Sequence, residues 1–452
     1  MNAVGPCAIP QFNNRLGSRA GKVAHWFALR DDQYIYGRLI ALLGRYGISA
    51  ARAEKRVLDC VDALARYECH PTFPTPGQVV ARNGAFCREL QRRGAELAVH
   101  GYHHLDFRAL SAEESRHQFA RAAAAYQRNA IQFEGFRCPY LSYTEKLNDT
   151  LPDGNFQYSS NKAIWWDVVA PELQLKVNGG KGVFHGLSRF YQAESSKTHL
   201  ALPRMSDHLV EIPVCLPDDL QLLDGLNFDE HGIRQAWTAV LGQTHRRGEL
   251  FDLMFHPESF EQCGPALDAV LREARDLNPS VWITQLRDVN RWWREKSGFT
   301  VQTIGNGDGS HLIFHASERA TVLVRHMDAR EPTRTWHGSY RVLEGRTLRL
   351  NAGERPFIGV AADTPPGPVA FLREQGYIVD TSQQAADCAM YLGPTELADV
   401  RNQIQLLDLI ETSSAPLVRF WRWPAGARSA FCVTGDLDAL SLTDYAARVL
   451  AL

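Results

Sequence analysis

Three histidines fall within five residues in the stretch Glu96-Leu-Ala-Val-His100-Gly101-Tyr102-His103-His104. His100 and His104 are spaced four apart. A helical turn at that point sets both imidazoles on one face, close enough to share a metal ion. Gly101 allows a sharp backbone turn between them. A polar loop that happens to be rich in histidine has the same composition, so the rest of the chain has to decide. Further groups able to do acid, base or electrostatic work are Asp31-Asp32, Arg137 before Cys138-Pro139-Tyr140, His256 before Pro257, and the late acids Asp436 and Asp438. Paired acids at the end of an apolar strand are costly to bury without a cation. They read either as a solvated turn or as a base and a metal ligand side by side.

These groups need elements to position them. Val23-Ala-His-Trp-Phe-Ala-Leu29 reads as a buried strand ending at Asp31-Asp32. Helical periodicity follows over Tyr34 to Tyr46 and Ala50 to Tyr67, with Val57, Val61, Leu64 and Ala65 on one face. The proline-rich Pro71 to Gly77 suits a strand end opening into a loop. A helix over Asn83 to Arg93 leads into the apolar run Leu97 to Val99 and the histidines. Ser111-Ala-Glu-Glu114 is a capping box, which predicts a helix to about Arg128. Gly135 to Tyr140, residues 155–169, Val210 to Val214, Phe251 to His256 and Val281 to Thr284 are strand candidates, the last followed by a helix to Trp293. Strands alternating with helices over 22–298 imply a parallel sheet, in a barrel or partial barrel. Chemistry in such folds gathers at the C-terminal ends of strands. Asp31-Asp32, His100/His104, Arg137 and His256 all sit at such ends.

The texture changes after Gly298. Short alternating runs at Thr321–Arg325, Ser339–Val342 and Arg346–Leu350 predict a small β-sandwich module over 299–354. From 355 to 452 alternation returns, which predicts a small flavodoxin-like α/β module with a C-terminal strand, and no phosphate-cradling glycine loop is present. Residues 1–21 read as an arm. The 452-residue chain is 45% hydrophobic and 22% charged, ordinary for a globular protein. A net charge of -2 gives no reason to expect nucleic acid or a membrane surface as partner. Nine cysteines without a Cys-x-x-Cys pair argue against a disulfide framework or a cysteine-bound zinc. With no apolar run of signal-peptide or membrane-span length, the expected location is the cytoplasm.

In their order and spacing these pieces resemble the polysaccharide deacetylases, carbohydrate esterase family four with the NodB-homology fold, over roughly 22–296. The family's opening strand ending in two aspartates is matched by Leu29-Arg30-Asp31-Asp32, in part, because Arg30 and Gln33 replace its flanking Phe and Gly. Its His-(Ser/Thr)-x-x-His is matched by His100 to His104, with Gly101 at the Ser/Thr position. Arg-x-Pro-Tyr is matched by Arg137 to Tyr140, and Leu-x-x-His by Leu253 to His256. Trp165-Trp166-Asp167 falls, loosely, where a Trp/Asp motif belongs. The resemblance implies a distorted (β/α) barrel of the polysaccharide-deacetylase type and one divalent metal, zinc first among candidates. Asp32, His100 and His104 would be its ligands. Asp31 would be the general base, His256 the general acid, Arg137 the group orienting Asp31, and Tyr140 or its amide a support for the oxyanion.

The expected activity is removal of acetyl from an N-acetylated sugar or glycan intermediate. The alternatives are hydrolysis of another non-peptide C–N bond, such as a formamide or ureide, and a catalytically inactive carbohydrate-binding relative. A second segment, Ser429 to Asp438, also looks like the family's opening strand and carries an Asp-x-Asp. It reads as the start of a truncated second barrel or as a strand given to the first. Only 14 residues follow Asp438, too few for a barrel of their own. The expectation therefore rests on Asp31 and Asp32, with Asp436 and Asp438 as the alternative pair.

Overall fold

The computed structural model describes residues 50–152, 156–170, 190–206, 208–306 and 309–450. The N-terminal arm, the helix expected over Tyr34 to Tyr46, and Asp31 and Asp32 lie outside the described residues.

The larger part is a mixed α/β unit around one curled sheet. Its parallel pairings run from Leu250–Met254 to Ser429–Thr434, then at the end of that strand to Thr72–Thr75, Glu96–Val99, Gly135–Phe136 and Tyr158–Ser159. Tyr158–Ser159 pairs with Leu209–Glu211, and Ala163–Trp165 with Val214–Leu216, which in turn pairs back to Leu250–Met254. Only Ile212-Pro213 separates Leu209–Glu211 from Val214–Leu216, so the path curls round on itself. The strands are short apolar runs buried on both faces, as a parallel sheet covered by helices requires. Ala51–Ala65, Ala112–Arg128, Glu230–Arg247 and Phe260–Asp276 are the larger covering helices, and two apolar clusters fill the space between them and the sheet. The Ser111 capping box forms as expected, Ser111 Oγ accepting from Glu114 N and the Glu114 carboxylate from Ser111 N.

The strand at the centre of this sheet is the one that the sequence assigned to the 355–452 module, with a strand given to the first barrel as the alternative. Ser429–Thr434 is no part of the small C-terminal module. Five of its residues pair with Leu250–Met254 on one side, and Val281–Thr284 and Thr72 pair on the other. All six of its residues are buried, so the apolar run Ala430 to Val433 finds cover on both faces only inside the large sheet.

Glu96 ties the opposite end of the sheet together. Its buried carboxylate accepts from Thr72 Oγ1 at 2.8 Å, Tyr158 OH at 2.6 Å and Arg287 N at 3.0 Å. Burial outweighs these bonds and pushes its pKa up to about 6.

Residues beyond 298 form three smaller sheets. Thr300–Asn306, Gly309–His315 and Thr347–Asn351 pair antiparallel, as do Thr333–His337, Tyr340–Leu343, Val322–Arg325 and Leu417–Phe420. Both sheets contribute to one apolar core, with Leu312, Phe314, Val322, Val324, Leu348 and Phe420 in it. The first hairpin and Thr333–His337 are strands that the sequence did not single out. Leu417–Phe420 reaches this unit from beyond the expected boundary at 354. Ile358–Val360, Val379–Asp380 and Met390–Leu392 form a parallel three-stranded sheet covered by Pro366–Glu374 and Gln403–Thr412. Among the described residues no helix is long and apolar enough to cross a membrane. The eight described cysteines are buried thiols without disulfides.

Candidate active site

His100 follows the strand Glu96–Val99, and its main-chain N–H donates to Thr75 O on the neighbouring strand at 3.2 Å. The backbone then turns through Gly101 in the left-handed region, φ +68°, where a Cβ would meet His103 O at 2.9 Å. The segment from His100 to Asp106 is a loop and not the helical turn that the four-residue spacing suggested. The two rings still meet, with centroids 5.1 Å apart, because the loop doubles back. His103 turns elsewhere, its Nδ1 3.0 Å from Gln78 Oε1.

The C-terminal ends of the other strands converge on these histidines. His100 Nδ1 lies 2.9 Å from Arg137 O. A carbonyl can only accept, so Nδ1 carries the proton and Nε2 presents its lone pair. Past Thr434 the central strand delivers two acids. Asp438 Oδ1 is 3.5 Å from His100 Nε2 and 3.2 Å from His104 Nε2. Asp436 Oδ2 is 3.7 Å from His100 Nε2. Among the described residues, these are the carboxylates brought to the histidine pair.

Arg137 lies under them, fully buried. Its Nη1 donates to Asp436 Oδ1 at 3.2 Å and to Thr434 Oγ1 at 3.0 Å. Nη2 donates to Asp252 Oδ2 at 3.0 Å and Ser160 Oγ at 2.9 Å, and Nε to Ser160 O at 3.0 Å. One guanidinium thus holds two carboxylates in fixed directions. Burial pushes Asp252 up to about 6, against the lowering effect of Arg137. Ser160, Thr434 and Asp252 were not singled out from the sequence. Each is an ordinary residue type in or beside a buried strand, with no local signal of its role.

His256 follows the strand Leu250–Met254, with Nδ1 2.9 Å from Asp219 Oδ1. Asp219 and its neighbour Asp218 are fully buried. Burial first, then the adjacent charge of Asp219, pushes the Asp218 carboxyl up. Asp219 orients the imidazole and leaves Nε2 as the atom that can exchange a proton. The sequence signal for this pair is two adjacent acids just past the buried strand Val214–Leu216.

Tyr140 stands edge-on to His104 with centroids 4.5 Å apart, on left-handed backbone at φ +61°. Its main chain is placed through Cys138 N, which donates to Asn161 Oδ1 at 2.6 Å. Trp166 is buried in the core, whereas Asp167 is half-exposed and pairs with Lys197 at 2.9 Å.

The donor set can be tested for a cation on the side chains alone. One ligand atom from each of His100, His104 and Asp438 lies within 4.8 Å of the other two, and all three residues are buried. His100 Nε2 is buried with no hydrogen-bond partner. An orphaned imidazole lone pair facing carboxylates is costly unless a cation satisfies it. Two imidazoles and a carboxylate suit zinc with positions left for water. The residues fit a divalent metal.

Acids, a guanidinium and imidazoles on the rim of a curled parallel sheet define a candidate hydrolytic centre. Residues 52–159 match the family model described as polysaccharide deacetylase. A bifunctional xylanase/deacetylase of Pseudobutyrivibrio xylanivorans is 34% identical over 116 residues, 25% of this chain. The match spans 18% of that relative's length. Among solved structures, a Mycobacterium smegmatis protein named as a polysaccharide deacetylase is 19% identical, with 57% of this chain and 82% of that one covered at a TM-score of 0.41. A similarly named protein of Pseudomonas aeruginosa PAO1 is 16% identical, with 53% and 73% covered at 0.41. The matched residues 52–159 include His100, His104 and Arg137.

Proposed function

We propose that the protein is a metal-dependent amide hydrolase that removes acetyl from an N-acetylated sugar. The observation that carries this is the convergence of His100, His104 and Asp438 beside Asp436, within a chain that carries deacetylase-family sequence. His100, His104 and Asp438 would hold the metal. Asp436 and Asp438 take the roles that the motif reading gave to Asp31 and Asp32, and Arg137 orients Asp436 rather than Asp31. When bound, a divalent ion there supplies Lewis-acid polarisation of the amide carbonyl and a more acidic water.

The protein's own groups do the rest. Asp436, held by Arg137 through its other oxygen, removes a proton from the attacking water as the new C–O bond forms. Thr434 Oγ1 and Asp252 fix Arg137 in turn. His256, oriented by Asp219, gives the proton from Nε2 to the departing nitrogen as the C–N bond breaks. The products are acetate and a free amine. Tyr140, packed on His104, borders the place where the carbonyl oxygen collects charge.

The test is acetate release from N-acetylated hexosamine oligomers by purified protein. Activity should vanish with a chelator and return with zinc or another divalent ion. Chelator-insensitive release, or none from any N-acetylated sugar, overturns the proposal.

A further inference from the structure

A cavity of about 190 Å³ adjoins the candidate centre, lined by Leu141, Tyr143, Asn161, Lys162, Tyr191 and Gln192 among others. Its lining residues neighbour those of the site. Leu141 follows Tyr140, whose ring packs on His104. Asn161 Oδ1 holds the main chain of Cys138. Tyr191 OH lies 3.5 Å from Asp218, beside the His256 partner Asp219. The cavity is smaller than the roughly 300–1,000 Å³ of pockets that enclose a drug-sized ligand. It suits a substituent or one ring of a larger substrate whose reacting group lies at the metal centre.

Lys162 gives this cavity its character. Its main-chain N–H is fixed by Glu211 at 2.7 Å. Lys162 is half-buried; its charge acts on the buried Glu211 carboxyl, and its ammonium has no ion pair or hydrogen bond among the described residues. The wall also carries the half-exposed carboxylate of Glu194, 3.4 Å from His199 Nε2. Tyr143 OH and the Gln192 amide add polar groups, and Tyr143 OH is within 2.9 Å of Asn148 Oδ1. Leu141 and Gln192 both hold left-handed backbone at φ +52°, next to Tyr140 at φ +61°. Such conformations in residues with side chains are costly and gather at ligand clamps. An ammonium on the wall of a polar cavity is the complement of a carboxylate or phosphate.

Resting on the deacetylase reading above, we propose that the substrate is an anionic N-acetylated sugar, whose carboxylate or phosphate is bound by Lys162 in this cavity while its N-acetyl group meets the metal centre.

Binding tests this separately from catalysis. In zinc-loaded His256→Ala protein, calorimetry compares a neutral N-acetylhexosamine oligomer, the same oligomer bearing a carboxylate ether, and an N-acetylhexosamine phosphate. At least one anionic ligand should bind at least ~10-fold more tightly than the neutral one, the scale of a charged hydrogen bond. The two arms identify the anion. Lys162→Met should erase that preference, Lys162→Arg should keep most of it, and added salt should weaken it. Equal affinity for all three ligands, or a preference that survives Lys162→Met, overturns the inference. Acetate release from the neutral oligomer by the unaltered protein reports on the deacetylase reading alone.

Discussion

Each side chain of the centre has a partner that fixes what it can do. His100 donates from Nδ1 to Arg137 O, so Nε2 presents its lone pair to Asp436 and Asp438. His100→Ala or Asp438→Asn should leave purified protein with little bound zinc or cobalt by metal analysis. Undiminished content in either variant removes these residues from the ligand set. Asp436→Asn should keep the metal and abolish turnover, because the amide cannot take a proton. His256→Ala should also keep the metal and lose ~10²–10⁴-fold in turnover, the range for a general acid. His103→Ala serves as control, since that ring faces Gln78 and not the centre. If Asp31→Asn and Asp32→Asn variants, rather than the late pair, lose metal and activity, the proposed assignment is wrong.

The elements set how closely these groups approach. Gly435 sits between Thr434 and Asp436, where a Cβ would lie 2.8 Å from Pro257 Cγ and 2.9 Å from Phe255 O. Only a bare backbone lets the central strand pass that close to the His256 turn. Gly435→Ala should cost about 1–3 kcal/mol in stability as overpacking, and reduce turnover of the metal-loaded protein by shifting Asp436 away from the Phe255–Pro257 turn. Unchanged kcat would show that this approach is not critical. At the other end of the sheet, Glu96 sets a pH dependence. Its folded pKa is raised from 4.5 to about 6, so the folded state holds the proton more tightly. Its contribution to stability is complete below pH 4.5 and is lost as pH rises through about 6. The loss is about 2 kcal/mol at 1.36 kcal/mol per unit. Glu96→Gln should flatten unfolding free energy between those pH values in urea titrations. An unaltered slope would assign the dependence to other acids.

Across the whole molecule, the strand that completes the centre is reached only through the smaller sheets. The chain leaves the large unit at Ser297, builds two antiparallel sheets and a parallel one, and returns through Leu417–Phe420 to Ser429–Thr434. Trp421, Arg422 and Trp423 make the junction. Trp423 Nε1 donates to Gly248 O at 2.9 Å, Arg422 Nη1 to Arg247 O at 3.0 Å, and Trp423 packs on Trp282 and Trp293. Trp423→Ala should destabilise the protein by about 3–5 kcal/mol, with bound zinc and folded structure lost in one transition. Zinc retained after the smaller sheets have melted would mean that the central strand is held independently of them.

The sequence by itself determined most of the inventory. The positions of the histidine pair, Arg137 and His256 just past strands were legible because each follows an apolar run of strand length. The alternation of strands and helices from Ala51 onward was legible because apolar runs of strand length and helical periodicity differ. The roles of Asp252, Ser160 and Thr434 were not legible, since their partners are more than 90 residues away in the chain or arrive from another strand. The pairing of Asp436 and Asp438 with His100 and His104 could not be settled by counting residues after Asp438. A strand needs neighbours rather than a barrel of its own, and pairing in a sheet is set by burial across the fold, not by order along the chain. The apolar run of Ser429–Thr434 is covered only between Leu250–Met254 and Val281–Thr284. That tertiary fact carries the late acids to the histidines.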